Sequence, residues 1–238
     1  MDSTVEGCNL EFFDRSAKSA QLISDLSSEF WSNPRVQECG PFLHESYGYE
    51  NLLSGATQDA LKRQFTPTAR HIRFAPDYAL VLPEPAGRHA ATLIEYKVTT
   101  TPRYTFRDEQ WNFGQIEADS WENLQRLRAS GLEVALVVFC PYHPRPLLAE
   151  FAESSLAVNE RRAVQSTITG SRTDYINLDL RKMRTFEMFM HEEFSVNKDV
   201  VRDVCLNLKE AWRVNPLMRT THAFASSYKG SETGFNWE

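Results

Sequence analysis

The chain has 238 residues, 42% of them hydrophobic and 24% charged, with a formal net charge of −6. That composition supplies a sizeable core and excludes a disordered chain, while the negative charge counts mildly against a nucleic-acid partner unless positive charge is gathered locally. No apolar stretch approaches the roughly 20 residues of a membrane-spanning helix, and Met1–Glu6 carries acids instead of a basic region followed by an apolar run, so no membrane segment or secretory signal is expected and a cytoplasmic location is.

In chain order, a helix is predicted over Arg15–Trp31, with Ala20, Ile23, Leu26 and Phe30 at helical spacing and Asn33-Pro34 as its stop. An irregular stretch leads to a second predicted helix, Glu50–Phe65, which ends before Pro67. Asp77–Leu82 and Thr92–Thr99 are β-rich runs separated by Pro83–His89, a turn by composition, and together they predict a hairpin. Gln110–Ser130 is read as a helix with Phe113, Ile116, Leu124 and Leu127 facing inward and Gly131 as its C-terminal cap. The continuous apolar run Val134–Phe139 suits a strand covered on both faces. A helix over Leu147–Gln165, a strand over Asp174–Leu180 and helices over Lys182–Phe194 and Lys198–Val214 follow, the last capped by Asn197 and striped by Val201, Val204, Leu208 and Ala211. The polar tail 226–238 is expected to be flexible. With no repeat and no long linker, residues 1–225 are expected to form one α/β domain: a core at about 45–140 with a mixed central sheet flanked by helices, and a helical C-terminal extension at about 145–215.

Several chemistries are absent from the pattern. Cys8, Cys39, Cys140 and Cys205 have no paired spacing, which argues against a zinc site or a disulfide framework. Neither a Gly-x-Ser-x-Gly elbow nor a phosphate-binding glycine loop is present. What stands out is Asp77 followed by Leu93-Ile94-Glu95-Tyr96-Lys97-Val98. Alternation along a strand puts Glu95 and Lys97 on one face, and an acid and a lysine are costly on an otherwise core-like strand unless they serve each other or a ligand. With the hairpin turn centred on Gly87, Asp77 lies opposite Lys97; a shift of two places it opposite Glu95 and keeps the cluster, whereas an odd shift destroys it. Two carboxylates and an ammonium at this spacing suit a hard divalent cation, Mg²⁺ or Mn²⁺, and hydrolysis of a phosphodiester. A structural salt-bridge cluster is the competing reading.

Pro76-Asp77 followed after a hairpin by Glu95-Tyr96-Lys97 resembles the signature of the PD-(D/E)XK nucleases, which include restriction enzymes, junction resolvases and repair nucleases. The resemblance implies a restriction-endonuclease-like core of helix, three antiparallel strands, helix, and a strand parallel to the first, and it covers roughly 90 residues. It implies Asp77 and Glu95 as metal ligands, with the Tyr96 carbonyl as a further one, and Lys97 acting on the attacking water or the transition state. Family members often add an acid from the first helix, for which Glu50 and Glu45 are both candidates, and a Gln or Glu from the second, for which Gln115 is the choice. Arg70 and Arg73 before the site and Arg103 and Arg107 after it are the candidate nucleic-acid contacts, with DNA preferred over RNA. No membrane partner is expected, and a homodimer is left open. The alternative is a nuclease-like module that has lost its chemistry and only binds nucleic acid or protein.

Overall fold

The computed structural model describes residues 20–40, 42–47, 75–81, 91–98, 112–140, 145–165 and 172–214, with the side chains of 46, 159–173 and 213 left aside. A helix, α1 (20–26), runs into a π-helical turn, Ser27–Trp31. Asn33 then caps the short α2 (Pro34–Gln37), its Oδ1 accepting the Arg35 N–H, with Pro34 at the first helical position. Strands β1 (Leu43–Ser46), β2 (Tyr78–Val81) and β3 (Ala91–Val98) form an antiparallel meander. After β4 (Phe113–Glu117) comes α3 (Ala118–Ala129), and then β5 (Glu133–Phe139) returns beside β3 and parallel to it. Strand β6 (Leu147–Phe151) pairs antiparallel with β5, and β9 (Arg184–Thr185) closes a six-stranded mixed sheet of order β1-β2-β3-β5-β6-β9. The strands β7 (Ala157–Gln165) and β8 (Arg172–Asp179) join β4 in a second, antiparallel sheet of order β4-β8-β7. Two helices, α4 (Phe186–Phe194) and α5 (Lys198–Val214), complete the described chain. None of its helices is long and apolar enough to cross a membrane.

The run Glu-Val-Ala-Leu-Val-Val-Phe of β5 is apolar throughout because both of its faces are covered. Ala135, Val137 and Phe139 pack with Ile94, Tyr96, α1, α4 and α5. Val134, Leu136 and Val138 pack with Trp121, Leu124 and Leu127 of α3 and with Ile116, Ile176 and Leu178 of the second sheet. The main sheet therefore divides two cores, as its uninterrupted hydrophobic strand requires. Helix α3 ends in a Schellman motif: Leu132 N–H donates to Leu127 O at 3.2 Å and Gly131 N–H to Arg128 O at 2.9 Å, with Gly131 at φ 90° as the left-handed residue. Asn197 caps α5 by accepting the Asp199 N–H at 2.9 Å.

Two sequence expectations are corrected. Leu147–Gln165 is not a helix but β6, a 3-10 turn (Ser154–Leu156) and β7, so the C-terminal extension is a sheet plus two helices instead of a helical region. Leu, Ala and Glu favour helix locally, but Leu147, Leu148, Ala149 and Phe151 are all buried, on two faces, and pairing with β5 overrides the weak local preference. The predicted helix Gln110–Ser130 also begins late, because Phe113–Glu117 is a strand paired with β8. Gly114 favours this arrangement: a Cβ there would lie 3.1 Å from Leu180 Cδ2, a close approach only glycine makes easily. The predicted helix Glu50–Phe65 lies outside the described residues.

Candidate active site

The chemistry-bearing residues gather where the hairpin, the end of β4 and the start of α3 meet. Alternation along β3 sends Ile94 and Tyr96 into the core shared with α1, α4 and α5, and turns Leu93, Glu95 and Lys97 to the opposite face, toward the second sheet. In the β2–β3 ladder Tyr78 faces Ile94, so Asp77, one residue before the strand, continues the register opposite Glu95. This is the two-residue shift from the Gly87-centred pairing, and it keeps the carboxylates together. Ladder pairing stops at Tyr78, and Asp77 replaces it with its side chain: Tyr96 N–H donates to Asp77 Oδ2 at 2.9 Å. The Asp77 carbonyl accepts the Tyr47 N–H at 2.9 Å, which ties the residue to the β1 side as well.

Glu95 is 4% exposed, and Lys97 Nζ lies 2.8 Å from its Oε1. The same ammonium is 3.0 Å from Oε2 of Glu117, the last residue of β4 and the one that leads into α3. That Glu117 oxygen is buried and meets the ammonium as a close ion pair. Two carboxylates therefore share one ammonium, and the charge of Asp77 acts on it as well. Burial is the largest influence on Glu95 and pushes its carboxyl up; Lys97 opposes this, Asp77 and Glu117 add to it, and the result is about 8. Burial works against the charge of Lys97 too, but Glu95 and Glu117 outweigh it and hold the ammonium above the ordinary lysine range. Glu117 is also raised by burial, and Lys97 reverses this to leave it below the usual carboxylate range.

Of the residues expected from the sequence, Asp77, Glu95 and Lys97 come together and the Tyr96 backbone lies among them. The Tyr96 side chain points the other way, where Trp31 Nε1–H donates to its oxygen at 3.3 Å and His44 Nε2 lies 2.8 Å from it. Gln115 is exposed, on a strand instead of the expected helix, and its Nε2 donates to Asn177 Oδ1 at 3.2 Å. Glu45 is exposed on β1, opposite Ala79, and so comes from a strand and not from a first helix. Glu50, Arg70, Arg73, Arg103 and Arg107 lie outside the described residues. Glu117 was not singled out from the sequence; read as the middle of a helix, it gave no sign of closing on Lys97. Its one signal is an acid immediately ahead of a helix, where the positive end of the helix dipole favours it.

Among the described residues no group of three or more His, Cys, Asp or Glu side chains is arranged to hold a metal ion. The ammonium of Lys97 occupies the space between Glu95 and Glu117. Even so, the donor chemistry suits a hard divalent cation. Asp77 and Glu95 offer carboxylate oxygens beside the Tyr96 backbone, and a carboxyl driven up to about 8 is one that a nearby cation would restore to its charged form. No protein-family model, no curated protein and no solved structure matches this chain.

Proposed function

We propose that the protein is a divalent-metal-dependent nuclease that hydrolyses phosphodiester bonds, DNA in preference to RNA, on a restriction-endonuclease-like core. The observation that carries this reading is the convergence of Asp77, Glu95 and Lys97 on one face of the β2–β3 hairpin, with Glu117 closing the group from the second sheet. Buried ion groups rarely stabilise a fold better than apolar packing would, so three acids around one lysine, in a sheet that otherwise buries leucine and valine, argue for a ligand. The order of elements supports it as well: an antiparallel meander, a helix, and then β5 beside β3, in the same sense as β1 and β3.

A bound Mg²⁺ or Mn²⁺ would neutralise charge on the phosphate and acidify a water. Asp77 and Glu95 would hold it with the Tyr96 carbonyl, and the Tyr96 N–H keeps the Asp77 carboxylate aimed into the site. Lys97, kept protonated by its acidic neighbours, serves by its charge, stabilising the extra negative charge of the transition state. The full ion pairing of Lys97 favours a second reading, a nuclease-like module that binds without cutting.

One experiment separates the two. Plasmid and single-stranded DNA are incubated with the protein in Mg²⁺, Mn²⁺ or EDTA, beside Asp77→Asn and Glu95→Ala. Cleavage should require the metal and disappear in both variants while their circular dichroism is unchanged. Wild-type cleavage by either variant would refute the site, and DNA binding without cleavage by the wild type would favour the second reading.

A further inference from the structure

The face of the main sheet that carries Asp77 and Glu95 continues onto the edge strand β1. Glu45 lies opposite Ala79 and Ser46 opposite Tyr78, and the Tyr47 N–H donates to Asp77 O at 2.9 Å, so Tyr47 stands beside Asp77 as Asp77 stands beside Glu95. Directly opposite residues share a face, which puts Leu43, Glu45 and Tyr47 on the side of the two acids. Tyr47 is two strand spacings, about 10 Å, from Glu95. It is 43% exposed, and Leu43, at the other end of the strand, is 49% exposed. The opposite face of β1 is clamped. His44 stacks on Tyr78 at 4.4 Å and on Trp31 at 5.2 Å, its Nε2 lies 2.8 Å from the Tyr96 hydroxyl oxygen, and its Nδ1 lies 3.2 Å from Ser27 Oγ. A tyrosine presented from a backbone fixed in this way loses little freedom when a ligand covers it.

We propose that Tyr47, with Leu43 further along the same edge, is a shelf on which an unpaired nucleobase stacks beside the phosphate addressed by Asp77, Glu95 and Lys97, and that the site therefore takes single-stranded DNA. This rests on the nuclease reading above and narrows its substrate. Every base has a π-face to lay on the ring, but in a duplex that face is covered by the neighbouring base pairs. Charge orients the strand. Glu45, exposed between Leu43 and Tyr47, repels a phosphate backbone, whereas Lys97 is the cation of the group. The backbone runs on the Lys97 side and the bases turn toward β1. A duplex laid over β1 would set phosphates against Glu45 and gain nothing from the ring.

The full chain is titrated in EDTA, which stops metal-dependent cleavage, into a single-stranded DNA oligonucleotide with 2-aminopurine spaced along it and into the corresponding duplex. Anisotropy of an end label reads affinity, and quenching of 2-aminopurine reads stacking. The wild type should bind the single strand more tightly than the duplex and quench it. Tyr47→Ala and Tyr47→Leu should each weaken single-strand binding about tenfold and lose most of the quenching, with duplex binding unchanged. Tyr47→Phe, which keeps the ring and drops the hydroxyl, should retain both. Leu206→Ala, which removes a 52% exposed side chain from α5 on the far side of the main sheet, should change neither. If folded Tyr47→Ala and Tyr47→Leu bind and quench as the wild type does, the shelf is wrong and the nuclease reading stands. Equal losses for single strand and duplex would also overturn the shelf, making Tyr47 a backbone contact. If the wild type binds neither DNA, the shelf falls, and the cleavage assay above decides separately whether the nuclease reading falls with it. Should Tyr47→Ala fail to fold, Tyr47→Leu decides.

Discussion

Replacing Glu95 with Gln removes a carboxylate that the sheet holds almost dry while leaving a side chain of the same shape, able to accept from Lys97 and 4% exposed at its site. The sign follows from linkage. The folded chain holds the Glu95 proton up to about 8, whereas an ordinary glutamate releases it near 4.5. Between those values the folded state binds more protons than the unfolded one, so wild-type stability falls as pH rises from 4.5 through 8. At about 1.4 kcal/mol per unit, the full window corresponds to a limit of about 5 kcal/mol, and about 3 kcal/mol of it has been lost by pH 7. The value of about 8 already contains the attraction of Lys97 for the charged carboxylate, so the loss of that pairing is not subtracted again. The expected net at pH 7 in EDTA is a stabilisation of up to about 3 kcal/mol, a Tm rise of several degrees for a chain of this length. The gap should be near zero at pH 5 and largest at pH 9. Thermal melts of both proteins at pH 5, 7 and 9 in EDTA test it, and saturating Mn²⁺ should reverse the order, because only the wild type gains from binding. A Glu95→Gln chain that melts below wild type at pH 9 in EDTA would refute the reasoning and make Glu95 the anion of a structural ion pair.

Three further outcomes are expected. His44, stacked on Tyr78 at 4.4 Å and on Trp31 at 5.2 Å, has its imidazole pushed down by burial to about 4, so its contribution to stability is lost as pH falls from 6.5 through 4; the acid limb of a Tm–pH profile should be shallower in His44→Phe, and an unchanged limb would count against it. Gly131→Ala meets no atom within 4 Å but must hold φ 90°, so it should cost about 1–2 kcal/mol by denaturant unfolding, and no loss would mean the loop relaxes. Lys97→Ala should lose single-turnover cleavage while retaining DNA affinity, whereas Arg103→Ala should weaken binding and flatten its salt dependence by about one unit; the same salt signature in Lys97→Ala would make Lys97 a phosphate clamp.

Features written in neighbouring residues were legible from the sequence alone. The alternation of Leu93-Ile94-Glu95-Tyr96-Lys97 put the acid and the lysine on one face, and the apolar run Val134–Phe139 announced a strand buried on both. Gly131 marked the end of α3, and Val201, Val204 and Leu208 marked the buried side of α5. Tertiary structure decided the rest. The pairing of Tyr78 with Ile94 set Asp77 against Glu95 instead of Lys97, because register depends on how many residues the turn absorbs. Leu147–Phe151 and Ala157–Gln165 became strands because partners existed for them in β5 and β8, and pairing with a distant segment outweighs helix preferences worth tenths of a kcal/mol per residue. Glu117 follows from the same cause. Its carboxylate reaches Lys97 only because β4 pairs with β8, which places Glu117 against Tyr175. Local spacing determines which side chains share a face, but only long-range pairing determines which faces meet.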